Sequence, residues 1–211
     1  MAKKYTVKEI LGPTLQGEGT YAGTVVNFLR LSFCNRWTGR PQDKAASICS
    51  YCDTDFYGGK PMTAHDILAA IKELNSPTRT IVISGGEPTM QIDEDLVSVM
   101  VNAGYRLHLE TNGSNPLGAA KKYFTHITMS PKQPLAETKL EGCDDLKILY
   151  PPIHPEITHE AFAGFPNKQR WSQAVWTEGG YDAALAAVKD YMMTRPDIRL
   201  SMQLHKYLGV K

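Results

Sequence analysis

No apolar run in this chain approaches the roughly 20 residues that a helix needs to cross a bilayer, so a helical membrane protein is not expected. An excess of charge of one sign is missing too. The 23 lysines and arginines offset 22 aspartates and glutamates, leaving a formal charge of +1. Neither nucleic acid nor an acidic membrane is therefore expected as the main partner. The first nine residues carry no apolar core of signal-peptide length, and the expected location is the cytoplasm. Cysteine is scarce, with four in 211 residues. A chain of this size without an export signal has no need of disulfide staples, and a reducing compartment leaves its thiols available for metal. Internal repeats, low-complexity stretches and interdomain linkers are also lacking, which predicts a single domain over 1–211.

What is present alternates. Residues 24–33 (TVVNFLRLSF) read as a strand rich in β-branched and aromatic residues. Thr63 can cap a helix with Asp66 three residues on, and Ile67, Leu68, Ile71 and Leu74 then repeat at helical spacing. Residues 80–84 are nearly all apolar, as in a strand buried in a parallel sheet. A second helix is predicted over 93–103, strands over 105–110, 126–129 and 146–149, a weaker helix over 116–123, a helix over 183–193 and a last strand over 198–204. Strand–helix alternation of this kind predicts an α/β fold with a mostly parallel sheet. Too few units exist to close eight strands, so the expected architecture is an open, partial (β/α) barrel.

Three of the four cysteines, Cys34, Cys49 and Cys52, fall within nineteen residues. Three thiolates can hold three irons of a [4Fe–4S] cluster and leave the fourth open to a ligand, whereas clusters that only carry electrons usually have four. Zinc is the alternative, and it would need a fourth ligand such as His65, Cys143 or a carboxylate. Cys143, far from the trio, reads as a structural thiol. Polar motifs directly follow predicted strands: Ser84-Gly85-Gly86-Glu87-Pro88, Glu110-Thr111-Asn112-Gly113 and Ser130-Pro131-Lys132. Ligands of parallel sheets gather at the strands' carboxyl ends, so these three would share one rim. The Gly-Gly pair is either a plain turn or a place where backbone approaches a ligand. Asp53-Thr54-Asp55 either turns the chain or offers the hard oxygen donors that Mg²⁺ prefers. Gln16 and Glu18, in Leu15-Gln16-Gly17-Glu18-Gly19, sit in a turn and have the donors and acceptors to read a pterin or purine edge. Arg30, inside the first predicted strand, needs an anion, either a substrate carboxylate or an internal acid. His205, with Gln203 and Lys206, is either a surface residue or part of a site.

Taken together, LQGEG at 15–19, CDT at 52–54, SGGEPTMQ at 84–91, ETNG at 110–113, SPK at 130–132 and QLHKYLG at 203–209 resemble the radical S-adenosylmethionine superfamily. Within it they resemble the 7-carboxy-7-deazaguanine synthase family, along nearly the whole chain. Most superfamily members space their cysteines C-x3-C-x2-C. This chain has C-x14-C-x2-C, an enlarged cluster loop over about 34–52, which is a variation of that family. The resemblance implies a carbon–nitrogen lyase of 7-deazapurine (queuosine-type) biosynthesis, which contracts the ring of 6-carboxy-5,6,7,8-tetrahydropterin and releases ammonia. Its implied cofactors are the [4Fe–4S] cluster, S-adenosylmethionine and Mg²⁺. It further implies a flavodoxin- or ferredoxin-type electron donor and a homodimer. By position, Cys34, Cys49 and Cys52 would hold the cluster and Thr54 the Mg²⁺. Tyr51, Gly85, Gly86, Glu87, Thr111, Asn112, Ser130 and Lys132 would surround S-adenosylmethionine. Gln16, Glu18, Arg30, Gln173 and His205 would hold the pterin. Ser172-Gln173-Ala174 stands where family members commonly have Leu-Gln-Pro, and Lys211 ends the chain close enough to His205 for the C-terminus to line the pocket. A glycyl-radical activase is the alternative enzyme, although no additional cysteine cluster is present.

Overall fold

The computed structural model describes residues 2–175 and 181–210. Strands run Tyr5–Leu15 (β1), Val25–Leu31 (β2), Lys60–Met62 (β3), Thr80–Gly85 (β4), Arg106–Thr111 (β5), Phe124–Met129 (β6), Cys143–Tyr150 (β7), Asn167–Ala174 (β8) and Ile198–Ser201 (β9). Helices span Ala64–Glu73 (α1), Glu94–Asn102 (α2), Asp182–Met192 (α3) and Leu204–Leu208 (α4). The nine strands form one open sheet in the order β3-β1-β2-β4-β5-β6-β7-β8-β9. Pairing is antiparallel where β1 meets β2 and β3, and parallel from β2 and β4 onward to β9. The expected open, mostly parallel α/β sheet is what forms.

Local chemistry explains the helices that pack on it. Thr63 and Asp66 make a reciprocal capping box at the start of α1, and Asp93 accepts the Leu96 amide at 2.9 Å to start α2. Ile67, Ile71, Leu96, Val97 and Met100 are then buried against Leu29, Leu31, Ile81, Ile83, Leu107 and Leu109 from one face of the sheet. Because strand side chains alternate, the residues between these point to the opposite face. There the sheet carries His108, Glu110, His126, Asp145, Lys147 and Gln173, all buried or partly buried. One face is an apolar core, and the other carries this polar set beside a small apolar cluster of Val26, Phe28 and Val82.

That second face is closed by chain segments rather than by strand pairing. At the strands' amino ends, Thr20 bonds Asp145 through its amide (2.9 Å) and hydroxyl (2.7 Å), and Tyr21 lies over His108 and His126. Beyond β9, the Leu204 amide donates to Gly17 O at 3.0 Å and the Gly19 amide to Ser201 Oγ at 3.1 Å. The β1–β2 turn is thereby tied to the far edge of the sheet.

The structure adds elements that periodicity did not predict. β1 contains Gly12-Pro13 and a register shift between Leu11 and Thr14, so it reads as broken although it pairs along most of β2. β8 (NKQRWSQA) has little apolar patterning, because Gln173 faces the polar interior and Ser172 bonds His159 at 2.9 Å. The predicted helix over 116–123 is a 3-10 turn, Gly118–Tyr123, and the predicted strand over 198–204 stops at Ser201, where the chain turns into α4.

Candidate active site

A cavity of about 680 Å³ opens at the carboxyl ends of the parallel strands. Its walls include Cys34, Cys49, Cys52, Tyr51, Thr54, Gly85, Gly86, Thr111, Asn112, Ser130 and Lys132 from one set of expected site residues, and Gln16, Glu18, Arg30, Gln173 and His205 from the other. Glu87 is the exception. Lys211 lies outside the described residues.

Cys34 follows β2 by way of Phe33, whose φ of 71° is a left-handed conformation that turns the chain out of the strand. Cys49 and Cys52 are held in a turn by a 2.8 Å bond from the Cys52 amide to Cys49 O, and Tyr51 donates its hydroxyl toward Cys49 Sγ. Burial pushes the Cys34 thiol up to about 11 and Cys49 in the same direction. Thiolates in this setting need a metal to stabilise them. The residues fit an iron–sulfur cubane: three soft donors on one wall, with the Arg36 Nε and Trp37 Nε1 groups of the enlarged loop buried and unpartnered beside them. Among the described residues no three His, Cys, Asp or Glu side chains converge as a single zinc ion requires. A cubane makes no such demand, since each thiolate binds its own iron.

The Gly85-Gly86 loop lies directly on the backbone leading to Cys34. A Cβ at Gly85 would sit 1.9 Å from Leu31 O, and one at Gly86 2.0 Å from Phe33 O. The Gly86 amide donates to Leu31 O (3.2 Å) and the Glu87 amide to Phe33 O (2.8 Å). The glycines thus serve first to dock this loop on β2, and what they can still offer a ligand is carbonyl oxygen. Glu87 was expected beside S-adenosylmethionine; instead it lies fully buried behind the wall. It accepts the Thr89 amide (3.1 Å) and hydroxyl (2.6 Å), the Thr111 hydroxyl (2.7 Å) and the Asn112 amide (2.7 Å). It ties the β4 loop to the β5 loop. Asn112 in turn donates to Asn35 at 3.1 Å, linking that loop to the enlarged cluster loop. Lys132 donates to Ser130 O (2.9 Å) and Oγ (2.7 Å), and burial lowers its ammonium's pKa.

An ionic network forms another part of the cavity lining. Lys147 pairs with Glu18 and, at 3.3 Å, with Glu110; Gln203 donates to Glu18 at 2.8 Å and Gln16 to Glu110 at 3.2 Å. Burial by itself would raise the Glu18 carboxyl, but Lys147, Gln203 and nearby His205 outweigh it and hold the group at about 2. Burial raises Glu110 and lowers His205. Gln173 is held by the Ser201 hydroxyl at 2.8 Å. Arg30 has an internal partner after all, Glu9 at 3.1 Å, while still lining the cavity. Gly17 has a reason to be glycine, since a Cβ there would fall 2.0 Å from His205 Nδ1. Gly17→Ala is expected to push α4 away from the turn and weaken pterin binding about tenfold or more while leaving S-adenosylmethionine binding in place. Parallel equilibrium titrations with the two ligands check this.

Asp53 and Asp55 flank Thr54, and both carboxylates already have ammonium partners, Lys206 for Asp53 and Lys8 at 2.7 Å for Asp55. Thr54, between them in the chain, lines the cavity. Cys143 starts β7 away from the cavity, packs against the apolar core and is raised to about 12 by burial. Sequence reading missed Lys147, the partner Glu9 and the bridging role of Glu87. The only signal for Lys147 was one lysine in the otherwise apolar strand predicted over 146–149.

Comparison with known proteins bears on the family and the fold. The model of the radical SAM superfamily matches residues 40–161. The 7-carboxy-7-deazaguanine synthases of Caulobacter vibrioides and Bordetella pertussis are each 36% identical to this chain, over 98% of it and 99% of theirs. That of Synechocystis sp. is 32% identical over 94% of this chain and 90% of its own. The crystal structure of QueE from Escherichia coli has the same fold, with a TM-score of 0.69 at 22% identity over 96% of this chain and 95% of that one. Neither the zinc-module nor the activase alternative finds support among these relatives. No helix among the described residues is long and apolar enough to cross a membrane. The chain belongs to the radical S-adenosylmethionine superfamily and, within it, to the 7-carboxy-7-deazaguanine synthases.

Proposed function

We propose that this chain contracts the ring of 6-carboxy-5,6,7,8-tetrahydropterin to 7-carboxy-7-deazaguanine with release of ammonia. The observation that carries this reading is that three thiols with their strand-end loops, and a carboxylate–amide–guanidinium set, line one cavity. Cys34, Cys49 and Cys52 would hold a [4Fe–4S] cluster. Gly85, Gly86, Thr111, Asn112, Ser130 and Lys132 would surround S-adenosylmethionine, with Tyr51 near its adenine and Glu87 bracing Thr111 and Asn112 from behind. When bound, these two groups would supply one-electron, radical-generating chemistry.

The chain's own residues position and shield. Glu18, ionised, would accept the N–H groups of the pterin's amino-pyrimidine edge, with Gln16, Gln173 and His205 around the ring. Arg30 would turn from Glu9 to the substrate carboxylate, a stronger partner if bound bidentately. Mg²⁺ would bind Thr54 and that same carboxylate, because Asp53 and Asp55 are already committed to lysines. One domain with an enlarged cluster loop, a homodimeric state, a cytoplasmic location and a flavodoxin- or ferredoxin-type donor complete the reading.

The test is mass spectrometry of an anaerobic mixture of reconstituted protein, reductant, S-adenosylmethionine, Mg²⁺ and the tetrahydropterin. The expected result is a product lighter than the pterin by one ammonia, formed in excess over 5′-deoxyadenosine. Deoxyadenosine without that product would overturn the substrate.

A further inference from the structure

Lys147 lies midway along β7 and is 5% exposed. Two of its donors are engaged, one by Glu18 and one by Glu110 at 3.3 Å. The second oxygen of Glu18 accepts Gln203, and the second oxygen of Glu110 accepts Gln16 at 3.2 Å. Five side chains from β5, β7, the β1–β2 turn and the start of α4 thus form one continuous chain, Gln203–Glu18–Lys147–Glu110–Gln16. Both side chains of the turn that face the pterin hang from a single ammonium.

A buried lysine between two carboxylates is weak support for fold stability, because well-packed apolar residues usually do as well. Its effect on the cavity is specific. Without the ammonium, two carboxylates would share a desolvated wall, repel each other and lose their aim; with it, each is pulled to a defined place and keeps lone pairs for a ligand. We propose that Lys147 is a positioning residue for substrate recognition: it sets Glu18 directly and Gln16 through Glu110, so that the turn presents a preset edge to the amino-pyrimidine ring. This rests on the pterin reading above and concerns only the ionic part of the cavity lining.

The test is equilibrium titration of the anaerobic holoenzyme with 6-carboxypterin, an unreactive oxidised relative of the substrate, alongside S-adenosylmethionine. Lys147→Met is expected to weaken 6-carboxypterin about ten- to a hundredfold, the loss of a charge-assisted contact, with S-adenosylmethionine affinity unchanged. Lys147→Arg should recover most of that loss. In a Glu18→Gln background the same Lys147→Met change should cost less than about threefold, because its direct route through Glu18 is gone and only the indirect one through Glu110 and Gln16 remains. Wild-type affinity in K147M, or an equal loss in both backgrounds, would overturn the proposal and make Lys147 a plug in the fold. If K147M alone does not fold, K147R and K147M/E18Q carry the test: a double variant binding no worse than E18Q supports the proposal, and one binding much worse overturns it. A wild-type protein that does not bind 6-carboxypterin removes the pterin reading itself, and the proposal with it.

Discussion

Alanine at Gly86 is expected to strip the protein of its iron and lower S-adenosylmethionine cleavage about a hundredfold or more, although no cysteine is touched. A Cβ at Gly86 falls 2.0 Å from Phe33 O and 2.9 Å from Cys34 Cβ, distances that only backbone movement can relieve. Phe33 is the left-handed residue that aims Cys34, and Phe33 O is held by the Glu87 amide at 2.8 Å. A non-glycine residue in that conformation stays there only because its surroundings insist on it. Pushing the loop off β2 frees Phe33 to relax and carries Cys34 away from Cys49 and Cys52. Gly85→Ala adds a second fault, since its φ of 132° is a conformation that L residues rarely adopt and its Cβ would meet Leu31 O at 1.9 Å. Iron and sulfide analysis of anaerobically reconstituted protein checks both, with Cys143→Ser as the reference that should keep its full content. Wild-type iron in G86A would mean that the docking of the two loops does not aim Cys34.

Glu87→Ala should lower the thermal midpoint of the anaerobic holoenzyme by about 6–12 °C, from a stability loss of about 3 kcal/mol. The carboxylate receives four hydrogen bonds, and its removal leaves the Asn112 amide without its acceptor inside the protein. Glutamine should not repair this. Its amide nitrogen would either face the Asn112 amide, donor against donor, or replace the oxygen that accepts the Thr89 amide. Thr111 and Asn112 would shift with the loop, so S-adenosylmethionine affinity should fall about tenfold in both variants. Calorimetry and ligand titration on E87A and E87Q together decide the matter, and a glutamine variant with wild-type melting would sink the bridging role.

How much of this was legible from the chain alone depends on the distance over which each feature is decided. The cysteine trio, the Gly-Gly turn and the strand-end motifs are local patterns, and the structure brings them to the rim where parallel-sheet logic predicts them. The capping box of α1 and the apolar faces of α1 and α2 were legible for the same reason. β8 was not, because a strand that turns Gln173 into a polar interior and spends Ser172 on His159 loses the alternation by which strands are recognised. Glu87 was read as a ligand contact because the motif places it beside the glycines. Its amide is in fact docked on Phe33 while its carboxylate is buried toward β5, and nothing in the spacing separates those two ends of one residue.

By itself, then, the sequence determined the donor chemistry: three soft thiols, hard oxygens after them, and amides and acids suited to a heterocycle. Only the tertiary structure decided which acids are charged and where they aim. Glu18 and Lys147 are 129 residues apart in the chain, and only the folded sheet and its closing turn bring them together. The physical reason is one of range. Bonding patterns within a turn are set by neighbours a few positions away, whereas the state of a buried charge is set by whatever lies within a few ångströms, and in an open parallel sheet that is a matter of strand order and register.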